Sequence, residues 1–190
     1  MNRKQYQEHI KNMVLAALFA AMVYVMTAFV HIPTHQGYVH IGDGIIYLAA
    51  ALLPTPYAIG AAAIGAGLSD YLSGYAVWVL PTAIIKALTA MVFTHKKPTI
   101  VNKRNLLAVI PAGVICVGGY YIAGTLLAVL SGTPLTGALV ASLADVPTNL
   151  IQVVGSTVLF AALGVSLDKS GIKRTLSPHA VSQTESRTHS

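Results

Sequence analysis

The chain has 190 residues, 55% of them hydrophobic and only 9% charged, with a formal net charge of +6. Soluble globular domains carry about a quarter charged residues, so this composition excludes an ordinary soluble domain and indicates an integral membrane protein. The basic excess does not indicate a nucleic-acid binder, because the Lys and Arg residues fall in a few clusters and form no stripe interleaved with aromatics.

Residues 1–11 form a polar, basic leading segment. The N-terminus is not expected to be a cleavable signal, since its apolar run is too long and no clear small-residue cleavage site follows. The first membrane span is expected from about Asn12 to Val30. In it, Ala16 and Ala20 share one helix face, and Ala17 and Ala21 share the next. Small residues four apart let a second helix approach closely in lipid, whether from the same chain or from a partner. His31 to Val39 reads as a loop marked by Pro33 and Gly37. The second span, about Ile41 to Leu53, opens on the polar head GYVHIGDG. Asp43 there complements the positive end of a helix dipole, as a cap or as part of a small-molecule site.

Pro54-Thr55-Pro56 makes a turn, and an Ala- and Gly-rich third span follows from about Tyr57 to Leu72. It ends in the polar, aromatic cluster Ser69-Asp70-Tyr71-Leu72-Ser73-Gly74-Tyr75. The fourth span, about Ala76 to Thr94, contains Lys86. A basic loop covers residues 95–104. The fifth span runs from about Leu106 to Leu130 and carries Tyr120 and Tyr121. The last apolar region, about Leu135 to Leu167, is interrupted at Asp145-Val146-Pro147, where proline removes a backbone donor. Residues 168–190 read as a disordered cytoplasmic tail. The expected fold class is therefore an all-α membrane protein with six transmembrane helices in a compact bundle over residues 12–167. The basic clusters share one side and the intervening loops lack Lys and Arg, which puts both termini in the cytoplasm.

That topology gathers Asp43, Asp70 and Asp145 toward the outer face. Ionisable groups at membrane depth are costly and call for partners or a function. Lys86 is expected either to pair with Asp70 or Asp145, or to contact a polar ligand. Asn149 and Gln152, three apart on one helix face, offer the donors and acceptors that suit a neutral heterocycle or amide. Tyr75 and Trp78 can stack on a ring or sit in an interfacial aromatic belt. The candidate substrate-binding residues are thus Asp43, Asp70, Tyr75, Lys86, Asn149 and Gln152. His31, His35 and His40 have no specific metal-ligand spacing, and no metal is expected. Cys116 is the only cysteine, which excludes an intrachain disulfide and a zinc cluster. No HExxH, GxSxG or Gly-rich phosphate loop with lysine is present, so neither an enzyme nor an intrinsic ATPase is expected, and no cofactor.

The Ala-rich first span, GYVHIGDGIIYLAAALLP, LSDYLSGYAVWVLPTAIIK and the late DVPTNLIQVVG, in this order, resemble the S components of energy-coupling factor (ECF) transporters. The resemblance covers about Met13 to Val165. It implies a subunit of the bacterial plasma membrane that captures a vitamin or vitamin precursor outside. It implies delivery through a transmembrane coupling subunit driven by two cytoplasmic ATPases. In such a protein the small-residue face of the first helix docks on the coupling subunit, here Ala16 and Ala20 or Ala17 and Ala21. Loops at about residues 31–40 and 72–78 would act as lids. Hydroxymethylpyrimidine, pantothenate, riboflavin and cobalamin all remain open as substrates. A small membrane scaffold without a substrate is the competing reading. An intramembrane enzyme using Asp70 or Asp145 is a third, with no motif behind it.

Overall fold

The computed structural model describes residues 2–33 and 38–176. His35, Gly37 and residues 177–190 therefore lie outside the described residues. The first helix, α1 (Arg3–Ala28), begins well ahead of Asn12. Asn2 and Gln5 explain the early start. The Asn2 side chain accepts from the Gln5 backbone N–H at 2.9 Å, and the Gln5 side chain accepts from the Asn2 N–H at 3.0 Å. This reciprocal cap satisfies two N–H groups that a helix start otherwise leaves open.

The segment after α1 is a short antiparallel hairpin rather than a plain loop. β1 (His31–Pro33) pairs with β2 (Tyr38–His40), with His31 opposite His40. The Gly42 N–H donates to His40 Nδ1 at 3.1 Å and ties the hairpin to the next helix. That helix, α2 (Asp43–Leu52), is buried at every residue. It stops before Pro54, as the residue preceding a proline disfavours helical geometry. α3 (Thr55–Leu72) starts with Pro56 in its first turn, where proline is tolerated. A 3-10 turn (Ala76–Trp78) leads into α4 (Val79–Met91). α5 (Lys103–Leu130) is the longest helix, capped by the Asn102 side chain. The final apolar region divides into α6 (Leu135–Leu143) and α7 (Val146–Lys169), breaking at the expected Asp145-Val146-Pro147.

Residue pairs make α4 and α5 antiparallel. Thr94 meets Asn105 and Thr82 meets Tyr120 across α4 and α5. α2 sits in the middle, touching α1, α3, α4 and α7. Glycine allows the closest crossings. A Cβ on Gly65 would lie 2.5 Å from the Ala20 carbonyl oxygen, and one on Gly44 would lie 2.7 Å from that of Ser156. Large apolar side chains face outward instead, such as Leu107, Ile110 and Val114 on α5 and Ile151, Val154 and Val158 on α7. Many large apolar side chains on the outside, around an interior that also holds charged and polar groups, suit a protein solvated by lipid. Three helical stretches, Arg3–Ala28, Lys103–Leu130 and Leu135–Lys169, are long and apolar enough to cross a bilayer. The fold is thus that of an all-α membrane protein.

The far end of the bundle corrects the boundary at Asp168. α7 continues to Lys169, and α8 (Ile172–Leu176) follows. Lys173 is 2% exposed. Its ammonium donates to the Ala51 carbonyl at 2.7 Å and to that of Thr99 at 3.2 Å. The stretch up to Leu176 is folded because a buried lysine needs acceptors, and the C-terminal carbonyls of α2 supply one.

The glycine crossings give a stability test. Gly44→Ala places a methyl against backbone, and such overpacking costs about 1–3 kcal/mol. Gly60, whose added Cβ would meet nothing within 4 Å, is the control. We expect Gly44→Ala to lower the melting temperature of the detergent-solubilised protein and Gly60→Ala to leave it unchanged or higher. Equal melting temperatures would show that the α2–α7 contact has room to relax.

Candidate functional site

Four helices bring one polar cluster together in the interior. Lys86 of α4 places Nζ 2.8 Å from Asp43 Oδ1 and 2.9 Å from Oδ2. Both side chains are fully buried. Gln152 of α7 donates from Nε2 to Asp43 Oδ2 at 3.0 Å. Cys116 of α5 lies 3.6 Å from Lys86 Nζ and 3.7 Å from Asp43 Oδ2. The Tyr120 ring centroid is 4.9 Å from Lys86 Nζ. Lysine has three donors and no acceptor. Here the carboxylate takes the main share, while the thiol and the ring face occupy the remaining directions.

Local helix geometry builds each wall. Asp43 and Tyr47, Thr82 and Lys86, and Cys116 and Tyr120 are each four residues apart, one turn along their helices. The Tyr120 hydroxyl donates to Thr82 Oγ1 at 3.3 Å. The Trp78 and Tyr120 rings are 5.9 Å apart between centroids. Below the ion pair, Tyr47 stacks on Phe93 at 4.7 Å and meets Phe160 edge-on at 6.0 Å. The cluster therefore has an apolar aromatic floor and a ring-lined flank.

The structure joins three of the six expected site residues directly: Asp43, Lys86 and Gln152. It also corrects the partner of Lys86, which is Asp43 and neither Asp70 nor Asp145. The reason is packing: α2 lies against α4, and its first turn is level with Lys86. Asn149 stands one turn before Gln152 on α7 and is half-buried. Asp70 is buried at the end of α3, and its carbonyl accepts from the Tyr75 N–H at 2.8 Å in the α3–α4 turn. Cys116 and Tyr120 belong to the cluster although the sequence reading did not place them there. Their signal was present in the four-residue spacing, but a cysteine in an apolar run reads as core.

The four alanines of α1 line an apolar groove of 560 Å³ against α3, with Met13, Tyr24, Tyr57 and Ile64. Ala16 and Ala20 are half-buried toward α3, while Ala17 and Ala21 are exposed. On the hairpin, His40 is buried and its imidazole is pushed down to about 4, chiefly by desolvation. Asp43 opposes that shift, and Lys86 and His31 add to it. Among the described residues, no group of three or more His, Cys, Asp or Glu side chains is placed to hold a metal.

A bundle with lipid-suited walls and a closed polar cluster inside defines a small helical membrane protein with an interior site. The sequence profile of the family described as ECF-type riboflavin transporter, S component, matches residues 7–169, and the chain belongs to that family. It is thus a membrane transport protein of the ECF S-component type, which is not an enzyme family. An archaeal protein of Pyrococcus woesei, described as an uncharacterized protein in the gap 3′ region, is 28% identical over 151 residues, covering 79% of this chain and 95% of that one.

Two measurements test the electrostatics. Lys86→Met strands a buried carboxylate, a loss of about 3–5 kcal/mol. We expect Lys86→Met to be strongly destabilised, and the double variant with Asp43→Asn to recover most of the loss. Equal stability of the single and double variants would dissolve the pair as a structural unit. For His40, the unfolded imidazole binds a proton near pH 6.5 while the folded one resists to about 4. Stability is then full above pH 6.5 and falls as the pH drops toward 4, by on the order of 3 kcal/mol. His40→Gln should flatten that part of the pH profile; an unaltered slope would assign it to other groups.

Proposed function

We propose that the chain is the substrate-binding subunit of an ECF-type vitamin importer. In this reading it crosses the plasma membrane six times, with both termini in the cytoplasm and the hairpin outside. α2 is only about 15 Å long, half the roughly 30 Å hydrocarbon core. It is a buried element screened by its neighbours, not a lipid-facing span, and the hairpin lies at the outer interface. The basic loop and both ends of the chain then lie on the inner side, as charge bias requires.

The observation that carries the reading is the closed, electrically neutral cluster of Asp43, Lys86 and Gln152 at the heart of an apolar bundle. A site whose charges already cancel disfavours a ligand with net charge, because the added charge would be buried without a partner. A neutral ring with edge donors and acceptors suits it, stacking on Tyr120 or Trp78 and bonding to Asn149 and Gln152. Asp70 and Tyr75 would border the entrance. Riboflavin, named in the family's description, is neutral and has such a ring, and so is the first ligand to test. Hydroxymethylpyrimidine meets the same conditions, while the carboxylate of pantothenate does not.

On the outside of the bundle, Ala17 and Ala21 form the face left for a coupling subunit, which would work with two cytoplasmic ATPases. Ala16 and Ala20 already serve the contact with α3.

Ligand-dependent thermal shifts across a vitamin panel test the core of this reading, since a ligand bound only by the folded state raises its stability. A neutral ring-bearing vitamin should stabilise the purified protein at low concentration. Asn149→Ala should weaken its binding about tenfold, the loss of one hydrogen bond, with the fold intact. Partner proteins without any vitamin effect would favour the scaffold instead. Ala17→Trp should abolish co-purification with the coupling subunit and spare ligand binding. Co-purification at the parent level would exclude that face. Topology is read by labelling Thr34→Cys on a Cys116→Ser background; access from the cytoplasm alone would invert the orientation.

A further inference from the structure

Several polar side chains fasten the end of the bundle opposite the hairpin, among them Asn102, which donates to the Thr99 and Ile100 carbonyls at 2.9 and 3.2 Å. Asn105 accepts from the Thr94 N–H at 2.9 Å and donates to the Thr94 and Ile100 carbonyls, each at 3.0 Å. Asp168 accepts from the Ile100 and Val101 N–H groups at 2.7 and 2.9 Å. Lys173 completes the set with its bonds to Thr99 and Ala51. Asn102, Asn105 and Asp168 hold the loop between α4 and α5. Lys173 also takes hold of α2, at a carbonyl of its last turn. A cation there complements the negative end of the helix dipole.

α2 has ten residues, and all are buried. A helix of that length behaves as one rod about 15 Å long. Asp43, in the first turn, is bonded to Lys86 and Gln152. Ala51, in the last turn, is bonded to Lys173. A shift of the rod along its axis moves the Asp43 carboxylate and the Ala51 carbonyl together, each against the partners that hold it. The height of α2 is therefore set by its partners at both ends while it stays helical.

We propose that Lys173 is a positioning residue for the interior cluster: by holding the Ala51 carbonyl it fixes the height of α2, and so keeps the Asp43 carboxylate seated against Lys86 and Gln152. The closing of the polar site is then set partly from the opposite end of the bundle, by a residue of α8 that touches none of the cluster. The clasp and the proposed ligand site share Asp43, but the clasp rests on this geometry and not on the identity of any vitamin.

Cys116 provides a probe that needs no ligand. It is the single cysteine, fully buried and adjacent to Asp43 and Lys86. The rate of its alkylation by N-ethylmaleimide in the full-length, detergent-solubilised protein reports how often the cluster opens. Lys173→Met removes the donor and should raise that rate by about tenfold or more, the effect of losing a charged hydrogen bond on an opening equilibrium. Asn105→Ala, which loosens the loop and removes no bond to α2, should leave it within about twofold of the parent. If Lys173→Met does not yield folded protein, Lys173→Gln takes its place, with a shorter donor and an increase in the same direction. A parent-like rate in the lysine variant overturns the proposal. So does an equal increase in Asn105→Ala, which would mean general destabilisation. Failure of every vitamin to bind would sink the transport reading and leave this outcome unaffected.

Discussion

A lysine buried in a lipid-solvated bundle has one acceptable condition: a partner of opposite charge at hydrogen-bonding distance. Lys86 meets it with Asp43, and much of the architecture follows from that requirement. α2 must come close to α4, with its first turn at the height of the ammonium. It must also be screened from lipid on every side, since its own residues include a charge. α1, α3, α4 and α7 supply that screen. The pair is not obviously a stabilising device, because desolvating two charges can cost more than their attraction returns. Its effect is to make one register of α2 acceptable and neighbouring registers costly.

Close approach is the second half of the same arrangement. Without a hydrophobic drive between helices in lipid, packing contacts and polar bonds must hold them. Gly44 lets the Ser156 backbone of α7 reach α2, eight residues before the close pairing of Gly164 with Val101 near the other end. Gly65 lets the Ala20 backbone of α1 reach α3. The alanines of α1 are therefore not equivalent. Half of them complete an internal crossing, and the other half lie on the outer surface of the groove.

Much of this was legible in the sequence. Apolar length, the prolines at 54, 56 and 147, and the charge clusters were enough to define the helical passes and the break between α6 and α7. Alternation of direction then brought Asp43, Lys86 and Gln152 toward one region. Hydropathy carries no information on rotation or on the height of one helix against another, so the expected partner of Lys86 fell on Asp70 or Asp145 and not on Asp43. The hairpin was hidden because Pro33 and Gly37 signal a loop, and the pairing of His31 with His40 depends on contacts with α1 and α7. α8 was hidden by composition. A Ser-, Lys- and Arg-rich stretch reads as solvated until a carbonyl such as that of Ala51 is placed beside Lys173.

In the proposed transport reading, the internal pair also determines where ligand affinity must come from. Both oxygens of Asp43 are engaged by Lys86, and one also accepts from Gln152. A ligand that displaced Lys86 from them would trade a charged bond for a neutral one and leave an ammonium without its carboxylate. Binding is more favourable if the pair stays closed and the ligand uses groups the pair does not consume. Those are the Trp78 ring, the face of the Tyr120 ring turned away from Lys86, and the amide of Asn149 one turn away from Gln152. The ion pair then acts as a fixed polar floor. Its neutrality selects against charged ligands, and its rigidity holds the surrounding helices at the spacing a flat ring requires.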